Sequence, residues 1–162
     1  MENQRPILQI PKTPVEIMLD VVAVILVIIG WAMAYLAYNN LPESVPIHYG
    51  VDGAVDRYGS KDSIIWLSIL NTVIVAVLSI VALYPHKFNF PVKITTENAQ
   101  TEYSKARMLV ISIKFLIAAM FVYITNTVIE GARNHGTGLG WGFVVILAAL
   151  VIAPFYVMFR RR

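Results

Sequence analysis

The side chains best suited to chemistry crowd into one short stretch between Leu41 and Lys61. It holds His48, Asp52, Asp56, Arg57 and Lys61, with Ser44, Ser60 and Asp62 at its edges. A histidine among carboxylates invites comparison with zinc sites, and spaced aspartates with calcium loops. Calcium is excluded by spacing, because Asp52, Asp56 and Asp62 do not alternate ahead of a glycine as such a loop requires. Zinc would need His48, Asp52 and Asp56, joined by His135 from elsewhere, but the strand register set out below puts His48 and Asp56 on opposite faces. Ser44 and Ser60 lack an assignable base and oxyanion donors. No glycine-rich phosphate loop with its lysine is present. The chain has no cysteine, which removes disulfides, thiolate metal sites and cysteine nucleophiles. The reading is therefore of a non-enzyme, with no metal and no cofactor expected.

Local structure in the stretch follows from its turn residues. Asp52-Gly53 is a two-residue hairpin signal, since both positions of such a turn adopt positive φ. Counting outward pairs Val51 with Ala54, Gly50 with Val55, Tyr49 with Asp56, His48 with Arg57 and Ile47 with Tyr58. Pro42 and Pro46 stiffen the approach, and Gly59 ends the hairpin. A small β-hairpin is expected over residues 39–62, capping helix ends. Pro42, Pro46, His48, Tyr49, Gly53, Asp56, Arg57, Gly59 and Lys61 are the candidate residues of this loop. They either bind a ligand or form a polar network that holds the hairpin in place.

The elements that must carry this loop are apolar. Of 162 residues, 57% are hydrophobic and 14% charged, where a soluble domain has about 25% charged. Four blocks of roughly 20 apolar residues run from Ile17 to Tyr38, Ser63 to Tyr84, Met108 to Ile129 and Gly138 to Phe159. Backbone amides in a bilayer need internal partners, so such blocks become helices. The fold class is an all-α membrane protein with four transmembrane helices and a small extracytoplasmic hairpin between the first two. Ala32-Met33-Ala34 resembles a signal-peptidase site, but the apolar run continues to Tyr38 and Asp20 interrupts the positive flank. The first block is expected to stay as a span.

Lysine and arginine set the orientation. Arg5, Lys12, Lys87, Lys93, Lys105, Arg107, Arg160, Arg161 and Arg162 would share one side, against Arg57, Lys61 and Arg133 on the other. Both termini are thus expected in the cytoplasm and the hairpin outside. The basic residues follow membrane topology, so the net charge of +3 does not imply nucleic acid. The organisation reads as a cytoplasmic tail (1–16), a two-helix unit with the outer loop (17–84), a cytoplasmic loop and helix extension (85–107) and a second two-helix unit with a basic tail (108–162).

Within the spans, Ser68, Asn71, Thr72 and Ser79 mark one side of the second, while Gly138, Gly142, Ala149 and Ala153 recur along the fourth. Such faces are read as helix-packing surfaces, with Pro154 bending the fourth helix. Asp20 and Lys114 lie at matched depth inside spans. They either pair with each other or act separately, with Lys114 reaching the headgroups and Asp20 capping its helix. After Pro91, a helix capped by Thr95 or Thr96 can run from Glu97 to Glu130, roughly 50 Å. Its first turns would project into the cytoplasm with Glu102, Tyr103, Lys105 and Arg107, either solvated or holding a soluble partner.

The series Leu41-Pro42, Val45-Pro46-Ile47-His48-Tyr49, Gly53, Asp56 and Gly59-Ser60-Lys61 resembles the bacterial membrane domain of unknown function sixteen-forty-eight. That domain is found at the N-terminus of SdpI-type toxin-immunity membrane proteins. The likeness covers about residues 17–84. It implies a multi-pass protein of the bacterial cytoplasmic (inner) membrane, engaged in immunity or envelope sensing. Expected partners are the lipid bilayer, a peptide toxin or other ligand outside, and a repressor or membrane-protein partner. The alternative is an accessory subunit or regulator of a transport system. The Asn/Gly/Arg/Trp-rich module of the longer immunity proteins does not appear in residues 85–162.

Overall fold

The computed structural model of the protein describes residues 5–134 and 138–159. His135, the C-terminal arginines and the side chains of Ala153 and Pro154, on which some expectations rest, lie outside them. In chain order the elements are α1 (Pro14–Tyr38), β1 (Ser44–Tyr49), β2 (Val55–Ser60), α2 (Ser63–Val81), a 3₁₀ turn (Pro85–Lys87), α3 (Ala99–Arg133) and α4 (Trp141–Phe159).

Helix α1 begins three residues before the apolar run because Thr13 and Glu16 cap it reciprocally. Glu16 N–H donates to Thr13 Oγ1 (3.2 Å), and Thr13 N–H donates to Glu16 Oε2 (2.7 Å). Pro14 fills the first helical position, where its missing N–H costs nothing. Helix α2 stops at Val81 rather than Tyr84, and the chain tightens into the turn at Pro85. Helix α3 is 35 residues long, about 52 Å. Its cap is Asn98, not Thr95 or Thr96. The Asn98 side chain reaches back instead of forward: Oδ1 accepts from Thr95 N–H (2.8 Å) and Nδ2 donates to Lys93 O (2.9 Å). An asparagine that closes the preceding loop thereby fixes where the helix can start.

Helices α1, α2 and α3 are each long and apolar enough to cross a membrane. The described apolar run of α4, Trp141–Ile152, is shorter. Large apolar side chains such as Leu36, Val77 and Val145 point outward. Contiguous apolar surface of this kind is stable against lipid, not water. The chain is a membrane protein.

Helix α3 packs against all three other helices. Small residues permit the approach, as expected for helices in lipid: Ala23 meets Val75 and Ala118 in the middle of the bundle. Gly142 of α4 sits against the Tyr123 ring of α3, where a Cβ would come within 2.6 Å. The polar face of α2 divides. Ser68 and Asn71 are buried, whereas Thr72 accepts a bond from Trp31 Nε1 of α1 (2.9 Å).

The start of α3 is not a free arm. Residues 5–13 lie across it as a strap, and Tyr103 and Arg107 are buried beneath. Tyr103 OH donates to Pro6 O (3.1 Å). Arg107 donates to Ile10 O (2.7 Å) and Pro11 O (2.9 Å), and its Nε and Nη2 grip the two oxygens of Glu16 (2.8 and 3.1 Å). Four residues apart, Tyr103 and Arg107 share one helix face. Glu102 and Lys105 pair with each other elsewhere on the surface of the helix (3.0 Å). The expectation of a projecting arm that is solvated or free for a partner fails at Tyr103 and Arg107, because these two have intramolecular partners far away in sequence.

Removing one member of a buried ion pair strands its partner, at a cost of roughly 3–5 kcal/mol. Arg107→Ala is therefore expected to lower thermal stability in detergent by that amount and to expose residues 5–13 to protease. Circular dichroism melting and limited proteolysis check both. A variant that melts normally with an intact strap would refute the assignment.

Candidate functional site

The hairpin forms where expected but in a different phase. The turn is a three-residue loop closed by Gly53 N–H to Gly50 O (2.9 Å) and Gly50 N–H to Ala54 O (2.8 Å). Gly53 has φ of 78°. This combination is a turn followed by a left-handed bulge residue, the next most common solution after two-residue loops. Asp52 Oδ1 secures it from Ala54 N–H (3.0 Å). The pairs are Ser44–Ser60, Val45–Gly59, Pro46–Tyr58, His48–Arg57 and Tyr49–Val55, with irregularities on both sides of His48. Only His48–Arg57 matches the counted register. The added loop residue and the bulges shift the remainder.

That shift corrects the separation of His48 and Asp56. They are not on opposite faces: His48 Nδ1 lies 2.6 Å from Asp56 Oδ1. Arg57 is exposed beside them. Among the described residues, no three His, Asp or Glu side chains converge.

A second set of contacts fastens the hairpin to the helix ends. Tyr38 OH donates to Asp62 Oδ1 (2.6 Å), joining the end of α1 to the start of α2. Ser60 donates to Asp62 Oδ2 (3.0 Å). These two bonds hold the Asp62 carboxyl below its usual range. Lys61 pairs with Glu43 (2.9 Å) and lies over the Tyr38 ring at 4.8 Å. Pro42 is exposed in the connector, whereas Leu41, Val45 and Pro46 are buried. Gly59 sits under Ile47, where a Cβ would approach its side chain to 2.7 Å. At the tip, Leu139 N–H donates to Gly53 O (2.9 Å). Gly138 lies so close that a Cβ would be 2.2 Å from Gly53 O.

The hairpin thus lies down over α2, α3 and α4, and a groove of about 470 Å³ opens beneath β1. Its walls include Pro46, Trp66, Leu70, Ile124, Val128 and Phe143. Its polar members are His48, Tyr49 and Ser63. Tyr49 OH and Ser63 Oγ are buried without a hydrogen-bond partner. Burial first, and Tyr58 nearby second, push the Tyr49 phenol up to about 12. Trp66 is 67% exposed and Leu70 50%, so the groove opens sideways to the surface that lipid would cover.

The Asp20–Lys114 question resolves as a contact, at 2.6 Å. Lys114 also donates to Ser79 Oγ of α2 (3.0 Å), and Lys12 bonds Asp20 from the strap. Lys114 is 2% exposed, so it does not reach outward. The node joins three helices and the strap, at the end of the bundle away from the hairpin. The sequence reading missed Glu16, Ser63 and the clamp formed by Tyr38 and Asp62. Glu16 had a signal, since a threonine three residues ahead of a glutamate is the pattern of a capping box. Ser63 had none, because its burial depends on where the hairpin folds over.

Fold and site together define a helical membrane protein whose bundle is capped at one end by a docked hairpin over a groove. Residues 25–72, which comprise the second half of α1, the hairpin and the first half of α2, match the family described as Domain of unknown function (DUF1648). A protein of Archaeoglobus fulgidus described as "Uncharacterized protein" is 24% identical over 143 residues, covering 80% of this chain and 77% of the relative. No solved structure matches the chain.

The Tyr49 environment has a measurable consequence. A phenol with ordinary pKa 10.0 raised to about 12 keeps its proton in the folded state where the unfolded chain has lost it. Its contribution to stability is therefore constant below pH 10 and falls as pH rises from 10 toward 12. Ultraviolet titration of the phenolate band is expected to show a component near pH 12 that disappears in Tyr49→Phe. Identical titration curves would place Tyr49 in water.

Proposed function

We propose that this chain is a four-span protein of the cytoplasmic membrane, termini inside and hairpin outside, that binds an amphipathic ligand of the peptide-toxin class in the hairpin groove and serves in immunity or sensing of the SdpI type. The observation that supports it is the pair of orphaned hydroxyls, Tyr49 and Ser63, among the lining residues of a mostly apolar groove. Buried polar groups are normally satisfied, and leaving one unmade costs about 1–3 kcal/mol. A peptide supplies what the groove lacks: amide N–H and C=O groups for the hydroxyls and apolar side chains for the walls. The lateral opening at Trp66 and Leu70 suits a ligand that arrives within the bilayer. Tyr49, neutral at physiological pH, then acts as donor or acceptor, and the His48–Asp56 pair presents a polar rim. The function is binding, without catalysis, metal or nucleic acid.

A second reading rests on a different observation. Strand β2 is an edge strand in a two-stranded sheet, with Asp56, Arg57, Tyr58 and Ser60 exposed. Free edges accept another chain, which suits an accessory subunit or regulator docked on a transporter.

The test exploits a divergence between stability and binding. Tyr49→Phe removes a buried unpaired hydroxyl, so it should fold as well as the parent or melt higher by about 1 kcal/mol. It should nevertheless lose protection of cells challenged with a panel of amphipathic peptide toxins, and His48→Ala should weaken protection severalfold. Full protection in both variants would remove the groove from the mechanism. A transport defect without change in toxin survival would favour the second reading.

A further inference from the structure

The opposite end of the bundle carries a separate cavity of about 610 Å³ between the strap and the segment that follows α2. Its strap wall is residues 7–12, and its other wall runs from Ala82 to His86, with Arg107 at the base. The position is the boundary of the apolar layer, since α1 starts at Pro14 and α2 ends at Val81. Ile7 is 77% exposed, Leu83 60%, Tyr84 44% and Leu8 39%. Apolar walls with aromatic edges at that level face acyl chains near their headgroups.

The charge of the cavity is unbalanced. Asp20 is one carboxylate shared by two ammonium groups, Lys12 and Lys114. Lys114 is buried with it, so the surplus positive charge resides on Lys12, whose side chain lines the cavity and is 38% exposed. Arg107 does not add to the surplus, because Glu16 neutralises it. Two more cations stand at the rim. Lys87 lies over the Tyr84 ring at 4.9 Å. Arg5 donates to His86 O and Phe88 O and lies 5.6 Å from the Phe90 ring centroid. Among the described residues, neither has a carboxylate partner.

We propose that this cavity holds one anionic phospholipid, its phosphate among Lys12, Lys87 and Arg5 and its chains along Ile7, Leu8 and Leu83. The lipid balances the surplus charge at Asp20 and covers apolar side chains that the protein leaves bare. An acidic soluble segment would meet the charge but not the walls. A zwitterionic lipid would meet the walls but not the charge.

Native mass spectrometry of the full chain, released from mild detergent after incubation with phosphatidylglycerol or phosphatidylcholine, tests this. One phosphatidylglycerol should be retained in preference to phosphatidylcholine, and inorganic phosphate should not displace it. Each basic residue near a membrane surface is worth about 1 kcal/mol, so each cation removed should cut the preference about fivefold. Lys87→Gln alters an exposed residue outside the strap and should leave folding intact, which keeps the test decisive if Lys12→Gln or Arg5→Gln destabilises the strap. Equal retention of both lipids, an undiminished preference in Lys87→Gln, or displacement by inorganic phosphate would overturn the proposal.

Discussion

Two carboxylates placed in the first turns of an apolar helix would each be costly alone. Glu16 and Asp20 are four residues apart on α1, so they point the same way. The facing cations, Arg107 and Lys114, are seven apart on α3, which is two turns of one face. Once Glu16 grips Arg107 and Asp20 meets Lys114, α1 and α3 are held parallel in a single register. Apolar side chains in lipid provide little such specification, because one apolar contact is nearly as good as another. The register then propagates. Ser79 brings antiparallel α2 to the same node, Ala23, Val75 and Ala118 meet above it, and Gly30 lies between Asn71 and Val122 further on.

The hairpin depends on that alignment at one remove. Its two feet are the end of α1 and the start of α2, and the Tyr38–Asp62 bond fixes their separation. Its buried anchors, Leu41 and Val45, enter a cluster with Ala34, Ile64, Val128 and Ala132 from three helices. Its tip is bonded to the α3–α4 connection. A two-stranded ribbon is at best marginally stable by itself. Here it is fastened at feet, middle and tip, so the groove below keeps a defined shape. The walls come from helices and the lid from the ribbon, which lets loop residues vary without disturbing the bundle.

Much of this was legible from residue types. Long apolar runs define the helices because lipid leaves the backbone no alternative, and Asp52-Gly53 locates the turn. Matched depth was enough to pose the Asp20–Lys114 pair, since burial penalties make opposite charges at one level find each other. What stayed hidden shares a physical cause. Local signals cannot count a bulge, so the register slipped and His48 and Asp56 were wrongly separated. Nor can they show contacts such as Arg107 to Ile10, 97 residues apart. Tyr103 and Arg107 read as solvated arm residues because Tyr103 and two of the Arg107 donors reach backbone carbonyls, which carry no residue-type signature, and Glu16 lies 91 residues from Arg107.

The distribution of unsatisfied groups separates the two ends of the molecule. At the strap end, buried polar side chains are paired in detail: four donors of Arg107 and both oxygens of Asp20 are engaged. Among the described residues, the buried side-chain atoms without partners are Tyr49 OH, Ser63 Oγ and Asn71 Oδ1. All three lie in the hairpin or in the half of α2 nearest to it. Ser63 and Asn71 are eight residues apart, close to one face of the helix, so they mark a seam that descends from the groove toward the middle of the bundle. A protein that gives its buried polar side chains partners so fully at one end has no general difficulty in placing polar groups. Local rules are broken where function requires it, and here they are broken along the seam beneath the hairpin. The ion pairs hold the bundle in register at one end, while the unpaired polar atoms lie along that seam at the other.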